Sequence, residues 1–186
     1  MLDVHGMVAP TVHVRALVAD HLATSPRELA AKERFLVELT RLDEPYNEHA
    51  DPIHVTASGI VVGTRGTVLH LHKRLARWMQ PGGHIDPGET PPEAARREAT
   101  EELGLDVRHP RDTPRLIHID VHEAALGHTH LDLRYLLIAD ADDPHPPPGE
   151  SPEARWYGWD EAASIADEAL APALVIARAE YEGSGA

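Results

Sequence analysis

The chain has 186 residues, 42% of them apolar, a formal net charge of −14 and no cysteine. That length and apolar share suffice for one globular domain with an appendage. The missing thiols exclude disulfides, thiolate metal sites and a cysteine nucleophile, and the acidic balance argues against a nucleic-acid polymer as main partner, because phosphate backbones would be repelled.

Met1 to Ala23 carries Asp3, Arg15 and Asp20 and no continuous apolar run, so neither a leader peptide nor a membrane span is expected; this predicts a cytoplasmic protein without a membrane partner. Residues 10–42 read as helical, with Val14, Leu17, Val18 and Leu22 at helical spacing. Thr24-Ser25-Pro26 marks a break and restart, with Ser25 as N-cap, Pro26 in the first helical position and Glu28 three residues past the cap. Leu29, Phe35, Leu36, Leu39 and Leu42 then form one apolar stripe. This extension, residues 1–50, is expected to pack on the core or to form a homodimer surface; a lid over the substrate is the sharper alternative.

From Ile53 the apolar period changes to two, and strands are predicted over 53–62, 67–73, 115–123, 128–139 and 154–158. Helices are predicted over 91–103 and 160–180, the second with a break near Ala171-Pro172. Ala139 to Pro152, rich in Asp and Pro, reads as a surface loop. Strands before and after one central helix imply an α/β domain over residues 51–186, with a mixed sheet and helices on both faces.

The most informative stretch is Gly83-His84-Ile85-Asp86-Pro87-Gly88-Glu89, followed by Arg97-Glu98-Ala99-Thr100-Glu101-Glu102-Leu103-Gly104-Leu105. Glu98, Glu101 and Glu102 stand at i, i+3 and i+4 and share one helical face. Stacked like charges repel by about a few tenths of a kcal/mol per pair. A bound cation removes that repulsion, and oxygen-only ligands select a hard ion, Mg²⁺ or Mn²⁺.

These residues match every position of the Nudix box, and the chain resembles the Nudix hydrolases. His54-Val55-Thr56-Ala57-Ser58, Trp78-Met79-Gln80-Pro81-Gly82-Gly83-His84 and Arg155-Trp156-Tyr157 are also similar, so the resemblance spans roughly residues 50–165. It implies the Nudix α/β/α sandwich and a Mg²⁺-dependent enzyme. It makes the Gly82 carbonyl a candidate metal ligand beside Glu98, Glu101 and Glu102, and Arg97 with Glu89 a structural ion pair. The implied reaction is water attack on phosphorus in a diphosphate linkage, in a small nucleoside diphosphate derivative or a nucleoside triphosphate. The general base is a box glutamate or an acid from a distant loop; Glu150 and Glu153 are the distal candidates and Glu123 a third. The alternatives are a module that binds a nucleotide without cleaving it, a hydrolase of a non-nucleotide diphosphate, and a scaffold. Retention of every box acid favours hydrolysis. The family's isopentenyl diphosphate isomerases depend on a catalytic cysteine, which this chain lacks.

Histidines supply a second pattern. On 115–123, His118, Asp120 and His122 alternate with Ile117, Ile119 and Val121; on the next strand His128, His130, Asp132 and Arg134 alternate with Leu131, Leu133 and Tyr135. A hairpin loop over 123–127 predicts His122 opposite His128, Asp120 opposite His130, and His118 opposite Asp132. His70 and His72 form a similar stripe. Part of this polar face is expected to floor the substrate cleft, with His130, Asp132 and Arg134 as substrate-binding candidates. A second, inhibitory Zn²⁺ site on the histidines is the further option.

Overall fold

The computed structural model describes residues 10–184; the part of the Met1–Ala23 reading that falls on residues 1–9 lies outside the described residues. Two helices, α1 (Pro10–Asp20) and α2 (Pro26–Glu38), precede the sheet. Ser25 caps α2, its hydroxyl accepting from the Glu28 amide at 3.1 Å. The Glu28 carboxylate does not close the expected reciprocal bond. It accepts from the backbone N–H of Thr24 at 2.7 Å, the ring of His21 at 2.7 Å and the amide of Ile119 at 3.1 Å. Burial by itself would raise the pKa of Glu28, but the His21 and Thr24 hydrogen bonds override it and hold the group at about 2. A buried ionised acid thus ties the helical extension to the sheet. The predicted stripe on α2 is rotated accordingly: Leu29 is exposed, and Glu28, Ala31 and Phe35 take the inward face. Leu22 is likewise exposed, because α1 stops at Asp20.

The sheet comprises β1 (Ile53–Gly63), β2 (Gly66–His72), β3 (Arg77–Met79), β4 (Gly82–His84), β5 (Val107–Arg108), β6 (Arg115–Glu123), β7 (Thr129–Ala139) and β8 (Ala154–Tyr157). Its spine is β3-β2-β1-β7-β5, with β4 paired to β1, β6 to β7 and β8 to β2. β1 and β7 run parallel and the other pairs antiparallel, so the sheet is mixed as expected. Helix α3 (Pro91–Leu103) lies on one face; α4 (Trp159–Ile165) and α5 (Leu170–Ser184) cover the other. The break between α4 and α5 falls at 166–169, earlier than predicted, where Asp167 accepts from the amides of Ala169 and Leu170 at 3.0 and 2.9 Å. Pro172 sits inside the first turn of α5, where a missing N–H costs nothing.

Strand alternation positions the site. On β1 and β7, Val55, Ala57, Leu131, Leu133 and Tyr135 share one core cluster with Ala94 and Ala95 of α3 and with Val14, Val18, Phe35 and Leu39 of the extension. Residues of opposite parity face the other way. Ile60, Val62, Leu136 and Ile138 pack under α5. Thr56, Ser58, His130, Asp132 and Arg134, further along the same face, line an open cleft.

Candidate functional site

Strand β4 brings the box together. It pairs with β1 as Ser58↔Gly82, Ala57↔Gly83 and Thr56↔His84. The two glycines are a steric requirement: a Cβ on Gly82 would stand 2.3 Å from Cβ of Ser58, and one on Gly83 2.6 Å from Oε1 of Glu98. Helix α3 starts with Thr90, whose amide donates to Glu93 at 2.8 Å, and ends at Gly104. Its inward turns present Glu98 and Glu102 to β4. Arg97 grips Glu89 with two hydrogen bonds of 3.0 Å and donates to the His84 carbonyl at 2.9 Å, Glu98 at 2.8 Å and Glu101 at 3.2 Å. The guanidinium therefore holds loop, strand and helix in one arrangement, and those carboxylates push its pKa still higher.

Glu98 and Glu102 are desolvated acids. Burial raises the pKa of Glu98 above its ordinary value, against the pull of Arg97. Burial pushes Glu102 up to about 8, with the charges of Glu98, Glu150 and Glu101 adding to it, although the Gly82 amide donates to its Oε2 at 2.9 Å. Two half-buried carboxylates on one face, with one arginine shared among the box acids, have a deficit of positive charge. Oxygen donors with such a deficit suit a hard divalent cation.

The cleft itself, about 710 Å³, is lined by Gly82 and Gly83 but not by the three glutamates; Glu98 packs against Gly83, Glu102 accepts from the Gly82 amide, and Glu101 is exposed beside Arg97. His70 bridges the two regions: it lines the cleft, and its Nε2 is 3.8 Å from Oε2 of Glu102. Burial lowers its pKa to about 4, so it is neutral at physiological pH.

On the cleft floor Asp132 accepts from Thr56 at 3.2 Å, Ser58 at 2.8 Å and Arg134 at 3.0 Å. Arg134, 3% exposed, also donates to Asp120 at 3.1 Å and to the Ala169 carbonyl at 2.6 Å. Burial would raise the pKa of Asp120; the His122 hydrogen bond and the charge of Arg134 reverse that and keep the acid ionised. From the extension, Arg27 reaches Asp120 at 3.4 Å and Glu168 at 3.0 Å. The observed β6–β7 register is His122↔His130, Asp120↔Asp132 and His118↔Arg134. It is shifted two residues from the predicted pairing, because residues 124–128 form the connection. A shift of two preserves the face, so the polar stripe survives. His118 is buried and does not reach the cleft.

Of the distal acids, Glu150 is the one whose charge acts on Glu102. Glu153 is exposed and contributes its backbone carbonyl to Leu71. Glu123 is exposed on the far rim, accepting from Thr129 at 3.2 Å. Sequence reasoning did not single out Arg27, His54 or His84 as site residues. His54 and His130 are partners across the parallel β1–β7 ladder. Parity alone puts His54 on the side of Thr56 and Ser58, but its neighbour requires a long-range pairing.

With this geometry in view, the comparisons are consistent. The NUDIX domain model matches residues 52–178. An RNA pyrophosphohydrolase of Psychrobacter cryohalolentis is 44% identical over 62 residues, 32% of this chain and 35% of that protein. A CMP-5'-(N-acetyl-N-hydroxy-3-aminopropyl)phosphonate hydrolase of Streptomyces rubellomurinus is 30% identical over 145 residues, 71% of this chain and 67% of that one. A NUDIX-family hydrolase structure from Clostridium perfringens superposes with a TM-score of 0.57 at 31% identity, covering 67% of this chain and 93% of that chain. The matched segments thus span between about a third and two thirds of the curated relatives' length. The chain belongs to the Nudix hydrolase family.

Proposed function

We propose that the protein is a Mg²⁺-dependent pyrophosphohydrolase that cleaves the diphosphate linkage of a small nucleoside diphosphate derivative or nucleoside triphosphate. The observation that carries this reading is the pair of desolvated acids, Glu98 and Glu102, set by Arg97 and Gly82 against the strand that borders the cleft. Glu98, Glu101, Glu102 and the Gly82 carbonyl would hold Mg²⁺ or Mn²⁺, which would supply charge neutralisation and lower the pKa of water. The chain does the rest. Arg97 and Gly82 fix the carboxylates. An acid takes the proton of the attacking water as the new P–O bond forms and the bridging P–O bond breaks, the leaving phosphate departing with the bridging oxygen. Glu150 is the proposed distal base on the strength of its charge acting on Glu102; Glu153 and Glu123 are weaker candidates. His130, at the cleft surface, is the proposed direct substrate contact, with Asp132 and Arg134 behind it.

A small substrate is favoured by the net charge of −14, which disfavours an RNA chain, and by the Streptomyces relative, whose name describes hydrolysis of a CMP-linked phosphonate. The division into an extension over 1–50 and a catalytic domain over 51–186 belongs to the same reading, supported by a family match that begins at residue 52. The test is product release from a panel of nucleoside triphosphates, nucleotide sugars, CMP-linked phosphonates and prenyl diphosphates, with and without Mg²⁺. Metal-dependent release of a nucleoside monophosphate supports the reading. Turnover of prenyl diphosphates alone would move the substrate outside nucleotides.

A further inference from the structure

Five imidazoles crowd one end of the cleft. The ring of His54 lies 5.0, 5.2 and 5.0 Å from those of His84, His128 and His130, and His122 lies 5.5 Å from His130. Three of them, His54, His84 and His130, place one ring nitrogen each within 4.8 Å of one another, the one such group among the described residues. The Nε2 atoms of His54 and His84 are buried and have no hydrogen-bond partner. A buried ring nitrogen with no partner is costly to keep unless something fills the gap between the rings.

The opposite nitrogens are already oriented. Nδ1 of His54 lies 3.3 Å from the Asp51 carbonyl, and Nδ1 of His84 faces a carboxylate oxygen of Glu48 at 3.4 Å. An Nδ1–H directed at a carbonyl or carboxylate leaves Nε2 with its lone pair free, which is how metal-binding histidines are set by their outer partners. We propose that His54, His84 and His130 form a second metal site, for Zn²⁺ or a similar divalent transition ion, separate from the carboxylates of α3. All-imidazole ligation selects such an ion over Mg²⁺. Three protein ligands leave a fourth position. His84 and His130 border the cleft, so water or an anionic oxygen of the substrate would take that position. The two sites divide the chain's ligands by hardness: oxygens of α3 for one ion, nitrogens of β1, β4 and β7 for the other.

Metal-free full-length protein, titrated with Co²⁺ and followed by visible absorption with Zn²⁺ as competitor, tests this directly. The absorption of an imidazole-bound, low-coordinate Co²⁺ is expected at one equivalent in the wild type and in the Glu98→Gln/Glu102→Gln double variant, and its loss is expected in His84→Gln and His130→Gln. Glu48→Gln, at a half-buried position that does not threaten folding, should weaken Zn²⁺ binding about 10- to 100-fold. No such absorption in the wild type, its disappearance in the glutamate double variant alone, or undiminished Zn²⁺ affinity in folded His84→Gln and Glu48→Gln would each overturn the proposal.

Discussion

Gly83 and Glu98 share one space: the position a Cβ would take on Gly83 is 2.6 Å from Oε1 of Glu98 and 2.7 Å from its carboxyl carbon. Strand β4 and the Glu98 carboxylate are therefore packed together through the absence of a side chain. Gly83→Ala is expected to displace the Glu98 carboxylate while leaving most of the fold in place. Turnover should fall about 100-fold, since a misplacement of about 1 Å in a reacting assembly costs that much. Calorimetry alongside steady-state kinetics separates the two effects; unchanged turnover would mean that the carboxylate position is not critical.

Arg97 and Glu98 are neighbours in sequence with opposite expected phenotypes. Arg97 joins the loop at Glu89, the strand at His84 and the helix, so Arg97→Ala should lower both Tm and activity. In a chain of this size each kcal/mol lost shifts Tm by about 2–4 °C. Glu98→Gln removes a desolvated charge and should leave the metal-free protein as stable or more stable while abolishing activity. A thermally silent Arg97→Ala together with an unfolded Glu98→Gln would reverse these roles.

Glu102 gives the metal-free protein a pH signature. Its pKa in the folded chain is about 8, raised from 4.5, so between those values the folded state holds the proton more tightly than the unfolded one. Its contribution to stability is full below about pH 4.5 and is lost as pH rises through 8. Without metal, wild-type Tm should fall relative to that of Glu102→Gln from pH 5 to pH 9, and Mg²⁺ should offset the fall, because its binding releases the proton. Parallel Tm curves for the two proteins would show that the group does not titrate in this range.

Arg134 neutralises two buried acids at once, Asp120 and Asp132. Arg134→Ala leaves Asp132 without a cation and Asp120 with only Arg27 at 3.4 Å and His122 at 3.1 Å, and should destabilise by about 3–5 kcal/mol. His130→Ala, at the cleft surface, should instead raise KM with little change in Tm. Denaturant unfolding of both variants distinguishes a floor that supports the cleft from one that touches substrate.

Much of this was legible in the sequence. Strand and helix periods located β1, β2, β6, β7, β8 and α3 to within a residue or so at their ends, because burial on alternate faces imposes them. The short strands β3, β4 and β5 were not, since two or three residues carry no period; β4 in particular is Gly82-Gly83-His84, glycine-rich because it must approach β1 and α3 closely. The box acids were evident from spacing on one helix. The grouping of His54, His84 and His130 was not, because it joins β1, β4 and β7 through pairings far apart in the chain. Nor did the sequence indicate that Leu29 would face water: the inward position went to Glu28, whose four acceptor bonds, from His21, the amide and hydroxyl of Thr24 and the Ile119 amide, compensate its burial.

The most direct measurement is the hydrolysis rate of folded Glu102→Gln at saturating Mg²⁺, on whichever diphosphate the wild type cleaves. The substitution keeps the shape of the side chain and removes one carboxylate, a proposed metal ligand, from the face that Glu98 shares. A loss of about several hundred-fold in kcat is expected, the scale of removing one key electrostatic group. A rate near that of the wild type, with the fold confirmed, would contradict metal-dependent hydrolysis by the carboxylates of α3.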